Sequence, residues 1–237
     1  MSGMRVLAFD ACLGAVSAAI GDATSDGAWS LRAAECVACA GGHAETLMPM
    51  LARVSRAAGV GFADIDRIVT TVGPGGFTGV RIGVAAARAF AVSTGCDLVG
   101  LSAPEALALE ARAHLGPDAG DVIVANDGRR GMVFYARFSA VAGRPADPQF
   151  LTLEAAAEEV ARQPALVIGS AAAAVLAKAG LCNPAGSARL PADLQPNAAT
   201  FAPIGAQRAA TAELLPLYLR PPDAKEQSAS VLARASS

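Results

Sequence analysis

The chain has 237 residues, 53% of them hydrophobic and 17% charged, with 19 basic against 21 acidic side chains and a formal net charge of −2. This suits one or two folded domains that need neither disulfides nor metal, and excludes a disordered, acidic or coiled-coil chain. The charge balance also argues against a protein that grips nucleic acid through its own basic surface.

Val6–Phe9 reads as a buried strand ending at Asp10, Val16–Ile20 as a second strand, and Trp29 to about Cys39 as a third. Gly41-Gly42 breaks the pattern before a helix, His43–Ala58, in which Leu47, Met50, Leu51, Val54 and Ala58 recur at helical spacing; Gly59 and Gly61 close it. Arg67–Val72 is a strand, Gly73–Gly76 a tight turn, Thr78–Thr94 a helix stopped by Gly95, and Leu98–Leu101 a strand. The order βββαβαβ predicts a mixed sheet carrying helices. Beyond Pro104, Glu105–His114 is helical, and Asp121–Ala125 and Met132–Ser139 are strands joined by a turn at Asn126-Asp127-Gly128. Ala140–Pro148 is loop, Leu153–Arg162 helix, Ala165–Ile168 strand and Ser170–Ala179 helix. Asn183–Pro203, rich in Pro, Ala and Gly, is expected to be irregular, and the residues from Pro221 onward a frayed tail.

Nothing in the chain reads as a membrane span. The uncharged run Gln163–Ala177 is too short, and Asp10 interrupts the apolar stretch that imitates a signal peptide, so a cytoplasmic protein is expected. Five cysteines, an odd number, point to reduced thiols. Cys36 and Cys39 form a lone CxxC, but on a strand residues three apart face opposite ways, so the two thiols would not share a ligand.

Three segments could carry chemistry. Gly73-Pro74-Gly75-Gly76-Phe77-Thr78-Gly79 joins a strand to a helix, where backbone amides can meet phosphate; the same glycines equally suit a tight turn and close packing. It is neither a Walker A loop nor GxGxxG. Asp10 ends the first strand, where α/β sites collect, although an Asp there also forms turns. His43 has no HxxH, HxxxH or HExxH partner, and no Ser–His–Asp, Cys–His or zinc-protease constellation is present. On Thr78–Thr94, Gly79, Gly83, Ala87 and Ala91 form one stripe of small residues and Ala85, Ala89 and Ser93 another, with Arg81 and Arg88 near one edge. Two low ridges exceed what one buried face requires, which points to a helical interface.

Together these segments resemble the TsaB (YeaZ) family of tRNA threonylcarbamoyladenosine synthesis. The resemblance rests on Arg5–Asp10, His43-Ala44-Glu45-Thr46-Leu47-Met48-Pro49, Gly73–Gly83, Asp127–Phe134 and Pro216-Leu217-Tyr218-Leu219-Arg220; it is specific over the first hundred residues and patchy from Ala140 to Leu215. It implies an α/β, actin-like ATPase (ASKHA) fold of two related lobes, expected at 1–102 and 103–220 with a tail at 221–237. It also implies a non-catalytic scaffold that binds TsaD, the catalytic sibling. TsaD modifies the adenosine next to the anticodon of tRNAs reading A-starting codons, and the ATPase TsaE joins the pair.

The docking residues so implied are His43, Glu45, Leu47, Met48, Leu51, Arg81, Ile82, Gly83, Ala87 and Arg88, with self-association as a homodimer through the same helices. Asp10, Gly73, Gly75, Gly76 and Thr78 are expected as a nucleotide turn in vestigial form. The family's Asp-Thr-Ser is here Asp10-Ala11-Cys12, and the second metal-binding histidine of TsaD is here Leu47. No metal, no cofactor of the chain's own and only indirect contact with tRNA are expected, ATP or ADP at the interface with TsaD being left open. The alternative is an actin-like ATPase or small-molecule kinase using Asp10 and the Gly73–Gly79 turn.

Overall fold

The computed structural model describes residues 3–116, 119–140, 147–191 and 193–219; the expected tail at 221–237 lies outside them. The first sheet has the order β3-β2-β1-β4-β5, built from β1 (Met4–Asp10), β2 (Ala15–Ala23), β3 (Trp29–Ala38), β4 (Arg67–Thr71) and β5 (Asp97–Leu101). β1, β4 and β5 run parallel, and β2 and β3 are antiparallel additions. Helices α1 (His43–Ala58) and α2 (Phe77–Thr94) provide the crossovers that a parallel ladder needs.

Alternation along β1 divides the core in two. Leu7 and Phe9 face α1 and α2, packing with Ile20, Leu47, Met50, Leu51 and Val84. Val6 and Ala8 face the other way, with Val69, Val99 and Phe201. Gly59 and Gly95, both left-handed, end α1 and α2 as their sequence positions predict.

The second sheet has the order β8-β7-β6-β9, from β6 (Val122–Arg129), β7 (Met132–Phe138), β8 (Gln149–Thr152) and β9 (Leu166–Ile168). It follows α3 (Ala103–Leu115), whose N-cap Ser102 accepts a hydrogen bond from Glu105 N at 3.2 Å. α4 (Leu153–Arg162) and α5 (Ala172–Ala179) complete a second βββαβα unit. β6 pairs with β9 in the register in which β1 pairs with β4: Val122↔Leu166 answers Val6↔Arg67. The two lobes are therefore versions of one arrangement.

Two sequence expectations are corrected, and one unassigned stretch is filled. The β6–β7 hairpin turns at Arg130-Gly131, not at Asn126-Asp127-Gly128; Arg130 and Gly131 adopt positive φ (54° and 74°), the form a two-residue hairpin turn demands, and Arg129, at the register shift in β6, is positive as well (64°). The four residues after Pro148, between the expected loop and the expected helix, form the edge strand β8. Within the stretch expected to be irregular lies the start of α6 (Ala198–Ala206), capped by Asn197 Oδ1, which accepts from Ala199 N at 3.1 Å.

α6 packs on β1 and β2 of the first sheet and on α3. Arg208, just past its end, pairs with the buried Glu105 of α3. Residues 103–220 are thus not a lobe by themselves, because part of that stretch covers the first sheet. The chain then runs back along the first lobe: Thr211 N donates to Leu98 O at 2.6 Å, Leu214 enters the core, and Leu217 N donates to Val72 O at 2.7 Å. No helix among the described residues is long and apolar enough to cross a membrane.

Candidate functional site: an inter-lobe cleft and an outer helical face

The carboxyl ends of both sheets open on one cleft of about 1310 Å³, lined by Cys12, His43, Gly75 and Arg81 from the first lobe and by Asn126, Arg129 and Ser170 from the second. Asp10 of β1 and Asn126 of β6 occupy equivalent positions in the two sheets. Asp10 Oδ1 accepts from Thr71 Oγ1 and from Cys12 N, the latter at 3.2 Å; Asn126 Oδ1 accepts from Ser170 N at 3.1 Å. In each case the second side-chain atom, Asp10 Oδ2 or Asn126 Nδ2, is buried with no partner among the described residues.

Burial raises the Asp10 pKa from 3.8 to about 6, against the lowering effect of the bonds from Thr71 and Cys12. The Cys12 thiol, 3.1 Å from Thr71 Oγ1, is pushed up by burial first and by the Asp10 charge second.

The Gly-rich turn lies folded down on the β1–β2 connection. Gly76 N donates to Cys12 O at 2.8 Å, so this amide is already used. A Cβ at Gly75 would collide with Cys12 O, and one at Gly79 with Ala11 O. Gly73 has φ +99°, and its carbonyl accepts from Ala103 N at 2.8 Å. The glycines thus serve close packing of two backbones. Thr78 is exposed on the first turn of α2, and no side chain caps that helix.

His43 begins α1 and ties it to the β1–β2 turn, its Nε2 lying 2.9 Å from Leu13 O. Leu47, one turn on, is fully buried. Cys36 is exposed and Cys39 buried, so the CxxC thiols do diverge. No cluster of three His, Cys, Asp or Glu suited to a metal exists among the described residues.

The second feature is the solvent side of α1 and α2, which cover the same face of the first sheet. Here the expected docking residues separate. Leu47, Leu51, Gly83 and Ala87 are buried in the chain's own core. Of the two small-residue stripes, the one through Gly83 and Ala87 faces the sheet; Ala85, Ala89 and Ser93 are exposed. Glu45, Met48, Arg81 and Arg88 are exposed as expected, while His43 and Ile82 are half-buried.

Spacing alone missed Phe77, Val92 and Tyr218, which are 58%, 90% and 46% exposed. Phe77 and Tyr218 lie 5.6 Å apart between ring centroids, and the Arg81 guanidinium sits 3.6 Å over the Phe77 ring and donates from Nε to Tyr218 Oη at 2.8 Å. The Pro216–Arg220 motif was the available signal for Tyr218.

Residues 37–229 match the family model described as TsaD: tRNA N6-adenosine threonylcarbamoyltransferase. An uncharacterized protein of Mycobacterium tuberculosis is 33% identical over 188 residues, 77% of this chain and 77% of its own length. The Escherichia coli tRNA threonylcarbamoyladenosine biosynthesis protein TsaB is 32% identical over 136 residues, 57% of this chain and 55% of that protein. Among solved structures, a Pseudomonas aeruginosa protein described as similar to peptidase YEAZ superposes with TM-score 0.68 at 25% identity, covering 92% of this chain and 100% of the other. YeaZ from the same organism gives TM-score 0.66 at 23% identity, over 91% and 100%.

Proposed function

Since this chain belongs to the TsaB (YeaZ) family and has its two-lobed, actin-like fold, we propose that it serves tRNA threonylcarbamoyladenosine synthesis as the non-catalytic subunit that binds and supports TsaD. The observation that carries this reading is the outer face of α1 and α2. Met48, Ala85, Ala89 and Val92 remain exposed although the core beneath is complete without them. A low ridge of alanines between larger apolar side chains lets a partner helix approach closely.

Asp10 supports the same reading from the other side. It lies wholly buried under a turn whose Gly76 amide is already bonded to Cys12 O, and neither hydroxyl of the family's Asp-Thr-Ser follows it. We therefore expect no turnover by the chain alone, no heat when it is titrated with magnesium-ATP, TsaE joining only the assembled pair, and action in the cytoplasm. Self-association through the same helices would compete with TsaD.

The deciding measurement is light scattering on a sizing column, with this chain alone and mixed with TsaD from the same organism. A one-to-one complex that replaces any homodimer is the expected result; no complex, even with nucleotide and TsaE present, refutes the proposal. Met48→Glu and Ala89→Glu, both on exposed positions, are expected to weaken the complex about tenfold or more while the melting temperature stays within about 2 °C. Wild-type affinity in both would move the interface off this face.

A further inference from the structure

The second-lobe wall of the cleft uses up its acceptors and keeps its donors. Asn126 Oδ1 accepts from Ser170 N at 3.1 Å, Ser170 Oγ accepts from Asp127 N at 2.9 Å, and Asp127 Oδ1 accepts from Arg129 N at 2.8 Å. Because Ser170 N can only donate, the Asn126 oxygen faces it and the NH₂ group faces away. Three donors are left without an acceptor among the described residues: Asn126 Nδ2, the Ser170 hydroxyl and the Arg129 guanidinium. All three residues line the cleft, and they are graded in depth: Asn126 is 5% exposed, whereas Ser170 and Arg129 are open to solvent.

The backbone is shaped around this set. Gly169 has φ +100°, and a Cβ there would collide with Ala125 O and Asn126 Oδ1, so a larger residue would push Asn126 from its place. Arg129 adopts φ 64°, a conformation costly for a bulky side chain, and the Asp127 carboxylate holds its amide. A buried donor without a partner is costly, and an oxygen arriving from the cleft removes that cost.

The surroundings limit what this oxygen can belong to. Phe134, Ile168, Leu190 and Leu194 make the adjoining wall apolar, in a cleft of about 1310 Å³ that is ample for a small ligand. Of the acids in the lining, Asp127 turns one oxygen to Arg129 N and Asp193 turns one to Gln195 Nε2, at 2.6 Å. On the first-lobe side the Gly76 amide is bonded to Cys12 O and Asp10 is fully buried, so a triphosphate is offered neither that amide nor that carboxylate. A carboxylate suits the three donors, since its two oxygens can take a guanidinium fork together with a hydroxyl and an amide.

We propose that the second-lobe half of the cleft binds a small carboxylate with an apolar body, held at its oxygens by Asn126, Ser170 and Arg129 and along its body by Phe134, Leu190 and Leu194. The site lies apart from the outer face of α1 and α2, and does not depend on docking to TsaD.

The test is an NMR titration of the isotope-labelled full chain with benzoate, with benzyl alcohol as its uncharged counterpart, and with inorganic phosphate. Benzoate is expected to bind saturably with Kd about 1 mM and to shift the amides of Asp127, Gly128, Gly169 and Ser170. Benzyl alcohol and phosphate are expected to bind about tenfold more weakly or worse. Arg129→Gln and Ser170→Ala, both at exposed positions, should each weaken benzoate about fivefold. Asn126→Asp keeps an oxygen for Ser170 N but puts a second oxygen in place of the donor, and should abolish binding. Its thermal melt shows whether it folds, and the two exposed variants decide the matter if it does not.

Benzoate that shifts none of these amides at tens of millimolar overturns the proposal, as do Arg129→Gln and Ser170→Ala that bind it like wild type. Equal binding of benzoate and benzyl alcohol would make the wall an apolar pocket without a carboxylate site. Phosphate that binds as tightly as benzoate would make it an anion site indifferent to the body, and either result refutes the class of ligand named here.

Discussion

Gly79→Ala is expected to cost about 3 kcal/mol of stability or more, whereas Gly83→Ala, one turn along the same helix, is expected to gain up to about 1 kcal/mol. Both replace a helical glycine by the best helix former, which by itself favours the variant. At Gly79 the new Cβ would fall on the backbone carbonyl of Ala11, with the Ala11 carbonyl carbon at 3.1 Å, and backbone yields only by shifting β1 against α2. At Gly83 the nearest atoms are Thr70 Oγ1 at 3.6 Å and Thr71 O at 4.0 Å, ordinary van der Waals contact. For a chain of this size the Gly79 variant should melt roughly 6–12 °C lower. Equal melting temperatures for the two variants would mean that the Gly-rich turn is not the close joint described.

The second large effect concerns Asp10. Its carboxyl binds a proton with pKa about 6 in the folded chain, against an ordinary value of 3.8. Between those values the folded state holds more protons than the unfolded one, so stability falls as pH rises. The extra stability is fully present below about pH 4 and gone above about pH 6; its size is about 3 kcal/mol. Asp10→Asn cannot ionise and keeps an oxygen for Thr71 Oγ1 and Cys12 N. It also places a buried amide donor where Oδ2 had no partner, a cost of about 1–3 kcal/mol that offsets the gain at neutral pH. The informative quantity is therefore the slope. Urea midpoints at pH 4, 5, 6 and 7 should show wild type losing stability relative to the variant across that range. Parallel curves would place the Asp10 pKa near its ordinary value.

Where pattern and punctuation agreed, the sequence was legible. α1 and α4 have the bounds that Gly41-Gly42, Gly59 and the apolar spacing indicate, and the first sheet is mixed, as βββαβαβ predicts. α6 was hidden because Ala198–Ala206 carries Pro203 and Gly205 and is apolar nearly all round; the sheet and α3, not periodicity, make it a helix. The hairpin was misplaced because Asn126-Asp127-Gly128 carries the usual turn signal, yet Asn126 is committed to Ser170 and the cleft. That pushes the turn onto Arg130-Gly131, both with positive φ.

The outer face shows the same limit. Both stripes of α2 are built from residues too small to reveal which one the sheet would claim. The sheet claimed Gly79, Gly83 and Ala87, and of these only Gly79 sits where a Cβ would meet the backbone, at Ala11 O. Exposed Phe77 and Tyr218 come together only through the return of the chain's last described residues, a contact 137 positions apart in its Arg81–Tyr218 bond.

That same return route bears on synthesis. A ribosome that has emitted residues 1–102 has delivered all five strands of the first sheet and the two helices on one side of it, but nothing for the other side. Val6, Ala8, Ala19, Val69 and Val99 then gain Ala106 of α3 but lack Phe201 and Ala202 until α6 emerges, roughly a hundred residues later. The first lobe is therefore the first made and among the last finished. Throughout that interval its uncovered apolar sheet is the surface a chaperone would hold, and a chain truncated before α6 would carry it permanently.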